Sequence, residues 1–147
     1  MTLGTEAMKR RGVMGLGVVM ATLAVASVAF AQPGEVAKAA AEPIMKQLEA
    51  FRRDDYDVAY IFASAEIQRM FDREAFERMV KGGYPEIARS TFALVSRTEV
   101  TPDGHVYVNV KIRGANGNSI EALYDMVREN DGWRINGVVT KPDPGLV

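Results

Sequence analysis

The sequence predicts an α+β domain in which N-terminal helices pack on a curved four-stranded antiparallel meander. Two observations support this prediction. Residues 43–88 carry apolar side chains at the spacing of amphipathic helices. Residues 90–141 instead alternate apolar and polar side chains and are rich in β-branched and aromatic types. Helices followed by a run of sequential strands are typical of a layered α+β domain.

The first 31 residues have the pattern of a secretory signal peptide. Three basic residues beginning at Lys9 precede the unbroken apolar or small run of residues 12–31, which ends in a small-x-small cleavage site. We expect cleavage between Ala31 and Gln32 and a periplasmic or secreted mature protein. The alternative is an uncleaved membrane anchor, because residues 12–31 approach the roughly 20 residues that span a bilayer. Cleavage is favoured by the good site and by the many Gly and Ala residues of the run.

The remaining chain divides into a linker, one domain and a tail. Residues 32–42 are rich in Ala and contain a Pro-Gly pair, so we expect a linker there that continues into a loose helical turn. Pro43 suits the first position of a helix, where its missing N–H is not needed. The domain is expected to span residues 43–141, and the Pro-rich residues 142–147 should form a frayed tail.

Capping residues indicate where the helices begin. Asp55, Ser64 and Asp72 each precede a helical segment, and their side-chain oxygens can accept a hydrogen bond from a free N–H of the first turn. Phe71 and Phe76 flank the last of these caps at the spacing of a hydrophobic staple. We therefore expect separate helices to start directly after these three residues.

Strands are expected at residues 91–101 and then as three consecutive strands between His105 and Val139, joined by tight turns around Gly117 and Gly132. Alternation assigns two faces to this meander. The face predicted to meet the helices carries Val106, Val108, Val110, Ile112, Ile120, Ala122, Tyr124, Met126, Trp133, Ile135, Gly137 and Val139. The opposite face is predicted to carry Asn109, Lys111, Glu121, Asp125 and Arg134.

Composition argues against several classes of function. The net charge is −1, and Lys and Arg are interspersed with acidic residues, which is unlike a nucleic-acid-binding surface. Cys is absent and there is one His, so we expect no disulfide, no thiol catalysis and no zinc site. No other metal and no cofactor is expected.

Two residues are candidates for general acid–base catalysis, and neither is assigned a catalytic role. His105 follows a predicted turn, and a solvated turn histidine is favoured over a base because no carboxylate is expected to orient it. Asp125 lies in the middle of a strand, but alternation places it with Glu121 on the face opposite Tyr124. It would act as a base only if it faced the helices, inside the domain.

Several motifs between residues 43 and 140 are shared with a known family. They are Gln47-Leu48-Glu49-Ala50-Phe51, Asp54-Asp55, Ala63-Ser64 with Ile67-Gln68 and Phe71, Phe76 with Met79-Val80, Gly83-Tyr84-Pro85 and Asp131-Gly132-Trp133-Arg134-Ile135-Asn136-Gly137. On these motifs the chain resembles domain-of-unknown-function family 4864, exported bacterial proteins within the nuclear-transport-factor-2-like, or cystatin-like cone, superfamily. The resemblance implies a cone-shaped fold with a pocket between helices and sheet. It implies no activity.

Aromatic side chains are the candidate ligand contacts within such a cone. Tyr60, Tyr84, Tyr124 and Trp133 lie on elements that would enclose it, and they combine apolar rings with polar groups. The alternative is that these rings only fill the core. Tyr84 is the most site-like of the four, because the Pro that follows it indicates a loop over the expected mouth of the pocket.

Three functions follow from these features. The first, which we favour, is a non-catalytic exported module that binds a small apolar ligand or an envelope protein. The second is an isomerase- or hydratase-like enzyme that uses Asp125 or His105 with a Tyr donor inside the cone, as the resemblance to superfamily enzymes implies. The third is a structural homodimer that pairs through the polar face of the sheet.

Overall fold

The computed structural model describes residues 32–145. The described residues belong to one compact unit of the chain. The predicted signal peptide, including Ala31 at its cleavage site, lies outside the described residues. Among the helices that the structure describes, none is long and apolar enough to cross a membrane.

The described residues fold into helices followed by one antiparallel sheet. The helices are α1 (Pro33–Arg52), α2 (Tyr56–Ile61), α3 (Ala65–Met70), α4 (Arg73–Gly83) and α5 (Pro85–Ala88). The strands are β1 (Ser90–Val100), β2 (Val106–Gly114), β3 (Ser119–Glu129) and β4 (Gly132–Pro142). The sheet has the order β1-β2-β3-β4, and every neighbouring pair is antiparallel. The predicted α+β fold is confirmed.

Helix α1 begins at Pro33 rather than at Pro43, so the prediction of a linker at residues 32–42 is wrong. The segment is helical because Ala has the highest helix propensity and because one side of it has a core to meet. Ala40 is fully buried, and Val36 packs against the core. Pro43 lies inside the helix, where it removes one backbone hydrogen bond without ending the helix.

The three predicted helix caps are confirmed. Asp55, Ser64 and Asp72 each accept a hydrogen bond from the backbone N–H three residues further on, at 3.2, 3.2 and 2.7 Å. Each bond satisfies an N–H group that has no partner within its own helix. The caps therefore determine where α2, α3 and α4 begin.

The central strands alternate as predicted. Their side chains that face the helices are buried, namely Val106, Val108, Val110 and Ile112 of β2 and Ile120, Ala122, Tyr124 and Met126 of β3. Helix α1 packs on this face with Ile44, Leu48 and Phe51 buried on one side of the helix. The ring centroid of Phe51 lies 5.2 Å from that of Tyr56 and 6.0 Å from that of Phe76. Helices and sheet thus share one apolar core.

Strand β4 contains a β-bulge. Asp125 of β3 pairs with Gly137, whereas the next residue, Met126, pairs with Ile135. Asn136 is therefore an extra residue on β4 with no partner of its own on β3. A strand alternates faces every two residues, so one extra residue reverses the alternation beyond it.

The bulge changes which side chains of β4 face the helices. Val138 packs against the core, while Val139 is 72% exposed. Gly137 pairs with Asp125, whose side chain lies on the outer face of the sheet. The prediction that Val139 faces the helices is therefore wrong, because the bulge breaks the alternation on which it rests. Gly137, which has no side chain, is among the residues that border the space between helices and sheet.

The free edge of β4 is partly covered by the connection between α2 and α3. Ile135 N–H donates to Phe62 C=O, and Ser64 N–H donates to Ile135 C=O, both at 2.8 Å. This short parallel bridge pairs backbone groups that an edge strand would otherwise expose. It also brings the start of α3 to the bulged part of β4.

The start of the predicted tail belongs to the fold. Strand β4 extends to Pro142, and Asp143 N–H donates to Ser119 C=O at 2.9 Å. The Asp143 side chain is 6% exposed, with Lys111 Nζ 3.7 Å from its Oδ2. Residues 142 and 143 are therefore held by the sheet rather than frayed as predicted.

Candidate functional site

A cavity lies between the helices and the inner face of the sheet. It is lined by Gln47, Phe51, Ala63, Ile67, Phe71, Phe76, Met79, Val80, Tyr84, Ile87, Tyr124, Ile135, Gly137 and Val138. Its volume is about 240 Å³, somewhat below the roughly 300–1,000 Å³ of typical ligand pockets. Because an apolar cavity of about 150 Å³ already binds benzene, this one is large enough for a ligand somewhat bigger than a single aromatic ring.

Helices α1 and α4 supply the deep wall of the cavity. Gln47 and Phe51 are four residues apart on α1, and Phe76 and Val80 are four residues apart on α4. Side chains at this spacing lie on the same side of a helix. All four are at most 5% exposed, so the wall is built from packed side chains on regular elements.

Two polar side chains occur in this buried part. Gln47 Nε2 donates to Ala59 C=O at 3.1 Å, which fixes the orientation of the amide. Tyr124 is 1% exposed, and its hydroxyl has no hydrogen-bond partner among the described residues. Burial raises the pKa of Tyr124 above its ordinary value, so the hydroxyl keeps its proton at neutral pH. The cavity is therefore bordered by a residue with a neutral, unpaired hydroxyl.

Charge is absent from the described residues that line the cavity, since none of them is acidic, basic or a histidine. An ionised ligand would lose its hydration there without gaining a counter-charge, which is strongly unfavourable. Within residues 32–145, no group of three His, Asp or Glu side chains is arranged to hold a metal ion. The lining is therefore suited to uncharged ligands.

The rim of the cavity is formed by half-buried side chains. These are Ile67, Phe71, Met79, Tyr84 and Val138. The rim is supported from behind by Tyr60, whose hydroxyl donates to Phe71 C=O at 2.6 Å and whose ring lies 5.3 Å from that of Phe76. A second support is the bond from Ser64 Oγ to Asn136 Oδ1, at 2.8 Å, which ties the start of α3 to the bulge of β4.

Two of the four predicted ligand contacts line the cavity. Tyr84 lies at the rim and Tyr124 in the buried part. Tyr60 does not line the cavity, and its hydroxyl donates to backbone C=O groups. Trp133 is half-buried at the start of β4, where the guanidinium carbon of Arg128 lies 5.9 Å from its ring centre, and it is not a lining residue.

Gln47 lines the cavity but is not among the four ligand contacts predicted from the sequence. It occupies the buried side of α1, beside Ile44, Leu48 and Phe51, and is itself 4% exposed. A polar residue inside an apolar helical stripe is the signal that could have identified it, because buried polar groups are uncommon and need partners.

The two catalytic candidates lie on the outer face of the sheet. His105 Nδ1 is 4.0 Å from Asp125 Oδ1, and His105 Nε2 is 3.9 Å from Asp103 Oδ2. The pairing of β2 with β3 brings Asp125 beside His105, but both separations exceed hydrogen-bond distance, so neither carboxylate orients the ring through a hydrogen bond. The side chains of His105 and Asp125 are 49% and 34% exposed, and neither lines the cavity. The hypothesis that either is a base inside the cone does not fit this geometry.

The outer face also carries unpaired polar atoms and exposed apolar groups. Asn109 Oδ1 and Asp125 Oδ1 are buried and have no hydrogen-bond partner among the described residues. Leu123 and Val139, which pair in register, are 45% and 72% exposed. The outer face of the sheet therefore carries apolar groups exposed to solvent in addition to its polar side chains.

The helices, the meander and the cavity between them give the chain an α+β fold similar to that of nuclear-transport-factor-2-like (NTF2-like) proteins. An NTF2-like protein of unknown function from Shewanella baltica OS155 is similar in structure, with a TM-score of 0.56 and 12% identity over 79% of this chain and 100% of that chain. A second NTF2-like protein of unknown function, from Silicibacter pomeroyi DSS-3, has a TM-score of 0.52 and 17% identity over 77% and 100%. The protein Aln2 from a Streptomyces species gives 0.52 and 17% over 78% and 95%. At these identities the likeness shows the fold alone.

The family is shown by a sequence comparison. A family model described as domain of unknown function (DUF4864) matches residues 34–146. The chain belongs to this family, which confirms the resemblance inferred from its motifs. No curated protein matches the sequence.

Proposed function

We propose that the chain is an exported, non-catalytic module that binds a small apolar ligand in the cavity. The observation that carries the proposal is the cavity itself, about 240 Å³ in volume and lined mainly by apolar and aromatic side chains. Ligand sites are typically concave and apolar, with a few polar groups that orient the ligand. Here Gln47 and Tyr124 are the polar groups in the buried part of the lining.

A binding role is favoured over catalysis by the chemistry of the lining. General acid–base catalysis requires a titratable group within hydrogen-bond reach of the reacting atoms. The described lining offers only tyrosine hydroxyls, while Asp125 and His105 lie on the other face of the sheet. Ligand binding needs none of these groups.

Export is supported by the N-terminal sequence, with its basic residues, its apolar run and its small-x-small site at Ala31. The test is to express the full chain and measure the intact mass of the protein recovered from the periplasmic fraction. We expect a mature chain that begins at Gln32. Full-length protein retained in the membrane fraction would instead support an anchor at residues 12–31.

The binding proposal is tested with two neighbouring substitutions on opposite faces of the sheet. Val138 is at the rim of the cavity, whereas Val139 is exposed on the other face. Val138→Phe should obstruct the cavity, and Val139→Phe should leave it open. The measurement is a calorimetric titration with the apolar probe indane. It should show saturable binding to the wild type and to Val139→Phe and little binding to Val138→Phe.

Two results would overturn the proposal. One is the absence of saturable binding of indane by the wild type. The other is equal binding by the wild type and Val138→Phe, because the probe would then occupy another surface. Circular dichroism and a thermal melt of both variants establish that each has folded.

A second candidate function, a structural homodimer, is favoured by the outer face of the sheet. Exposed Leu123 and Val139 lie near the unpaired, buried oxygens of Asn109 and Asp125. Exposed apolar side chains that pair across neighbouring strands are typical of a surface that contacts a partner. Sedimentation at micromolar concentration should then show a dimer that Leu123→Glu dissociates, and a wild-type monomer would exclude this function.

A further inference from the structure

We infer that the ligand of the cavity is a compact neutral molecule with one carbonyl or similar acceptor, and that the Tyr124 hydroxyl binds this acceptor. The inference rests on the proposed function, because it assigns a chemical class to the ligand of the same cavity. It follows from three observations: the Tyr124 hydroxyl has no hydrogen-bond partner among the described residues, the described lining has no charged residue, and the cavity is small.

The Tyr124 hydroxyl needs a partner that the described protein does not supply. It is buried and forms no hydrogen bond with any described residue. Burying a hydroxyl without a partner is unfavourable, and a Phe would pack the same ring without that penalty. The hydroxyl oxygen has almost no accessible surface in the ligand-free structure, so a ligand in the cavity that Tyr124 borders reaches it by displacing neighbouring side chains.

The partner that fits is an acceptor. The phenol is neutral, since burial raises the pKa of Tyr124, and a neutral phenol is a good donor. The other polar group of the buried lining, Gln47, already uses its Nε2 to bind Ala59 C=O. The Gln47 amide keeps a second N–H, whereas the Tyr124 O–H forms no hydrogen bond at all with the described residues.

The lining excludes charged ligands of the same size. Carboxylates require a cation or several donors when they leave water, and no Lys, Arg or His is among the described lining residues. Ammonium groups likewise find no carboxylate there. A neutral ketone, ester or lactone meets the lining without this penalty.

The test compares three probes that share one bicyclic skeleton. Indane is the hydrocarbon, 1-indanone adds a carbonyl, and indane-2-carboxylate adds a charge. Calorimetric titrations would use the wild type, Tyr124→Phe and, as a matched control, Tyr107→Phe on the outer face of the sheet. One buried hydrogen bond should make the wild type bind 1-indanone about threefold to tenfold more tightly than indane. The carboxylate should bind about tenfold more weakly than indane, or not at all.

The two variants separate the hydroxyl from the cavity. In Tyr124→Phe the ratio of the 1-indanone and indane affinities should fall to about one, whereas Tyr107→Phe should keep the ratio of the wild type. If indane binds and 1-indanone has no advantage, or if Tyr124→Phe keeps that advantage, the inference is wrong although the cavity still binds apolar ligands. If none of the probes binds, the proposed function fails as well.

Discussion

Ser64 Oγ donates a hydrogen bond to Asn136 Oδ1 over a distance of 2.8 Å. The bond joins the N-cap of α3 to the bulge of β4, two elements that are far apart in the sequence. Helix α3 carries Ile67 to the rim of the cavity, and the bulge turns Val138 toward the same rim. One side-chain contact thus holds together two sides of the cavity mouth.

Asn136→Ala should destabilise the fold. It leaves the Ser64 hydroxyl, in a residue that is 1% exposed, without its acceptor. Leaving a buried hydroxyl unsatisfied costs about 1–3 kcal/mol, so the free energy of unfolding in urea should fall by that amount. Asn118→Ala, in an exposed turn, is the matched control and should change it by less than about 0.5 kcal/mol. Similar losses in the two variants would mean that the contact with Ser64 contributes little.

Two Tyr→Phe substitutions should have opposite effects on stability. Tyr124→Phe removes a buried hydroxyl with no described partner and should raise the free energy of unfolding by about 1 kcal/mol. Tyr60→Phe removes a hydroxyl that donates to Phe71 C=O at 2.6 Å and should lower it by about 1 kcal/mol. Chemical denaturation of the ligand-free protein measures both. A loss of stability in Tyr124→Phe would show that its hydroxyl is already satisfied within the protein.

Alkaline pH should weaken the fold partly through Tyr124. Burial raises the pKa of this residue in the folded state above the unfolded value of about 10. Below the unfolded pKa both states keep the proton, so this stabilisation is fully present. Above it the unfolded state loses its proton first, and stability falls as pH rises. Tyr56, whose pKa is also raised by burial, acts in the same direction.

The measurement for this pH dependence is the free energy of unfolding between neutral pH and pH of about 11. The decline above pH of about 10 should be shallower in Tyr124→Phe than in the wild type, because the variant lacks one of the tyrosines that resist ionisation. Equal slopes in the two proteins would contradict the assignment of Tyr124 as a buried, protonated phenol.

Gly114→Ala should destabilise the contact between β2 and α5. A Cβ at this position would lie 2.7 Å from Asn116 Oδ1 and 2.9 Å from Glu86 Cα, so backbone must move. Overpacking of this kind typically costs about 1–3 kcal/mol. Gly82→Ala is the control, because its Cβ would meet nothing within 4 Å and its place in α4 favours Ala. The control should melt at or above the wild-type temperature, and Gly114→Ala clearly below it.

Periodicity and capping residues were sufficient to predict the fold class. The caps Asp55, Ser64 and Asp72 and the alternation of β2 and β3 are local patterns, and local physics determines them. Pro33-Gly34 predicted a linker at residues 32–42, but the stretch of Ala that follows has a core to pack against and is helical. Helix propensity together with one buried side outweighed the expected linker.

Unbroken alternation predicts the wrong face for Val139 because the bulge at Asn136 reverses the alternation of β4. A Gly inside a strand pattern often indicates a bulge, and the Asn136-Gly137 pair is such a signal.

The size of the cavity could not be predicted from local sequence patterns. The cavity is a volume left between side chains of α1, α3, α4, α5 and the sheet, and its size depends on how they pack. Periodicity could place Tyr124 on the inner face, but it could not tell whether the space beside it is filled.

The binding of an apolar ligand in the cavity is tested most directly by methyl NMR of the isoleucines. Ile67, Ile87 and Ile135 line the cavity, whereas Ile44 and Ile112 are buried elsewhere in the core. Titration with indane should cause saturable shifts in the first three and much smaller shifts in the other two, because a bound aromatic ring shifts the methyl groups closest to it. Unchanged signals from Ile67, Ile87 and Ile135 at saturating indane would contradict the assignment of the cavity as the ligand site.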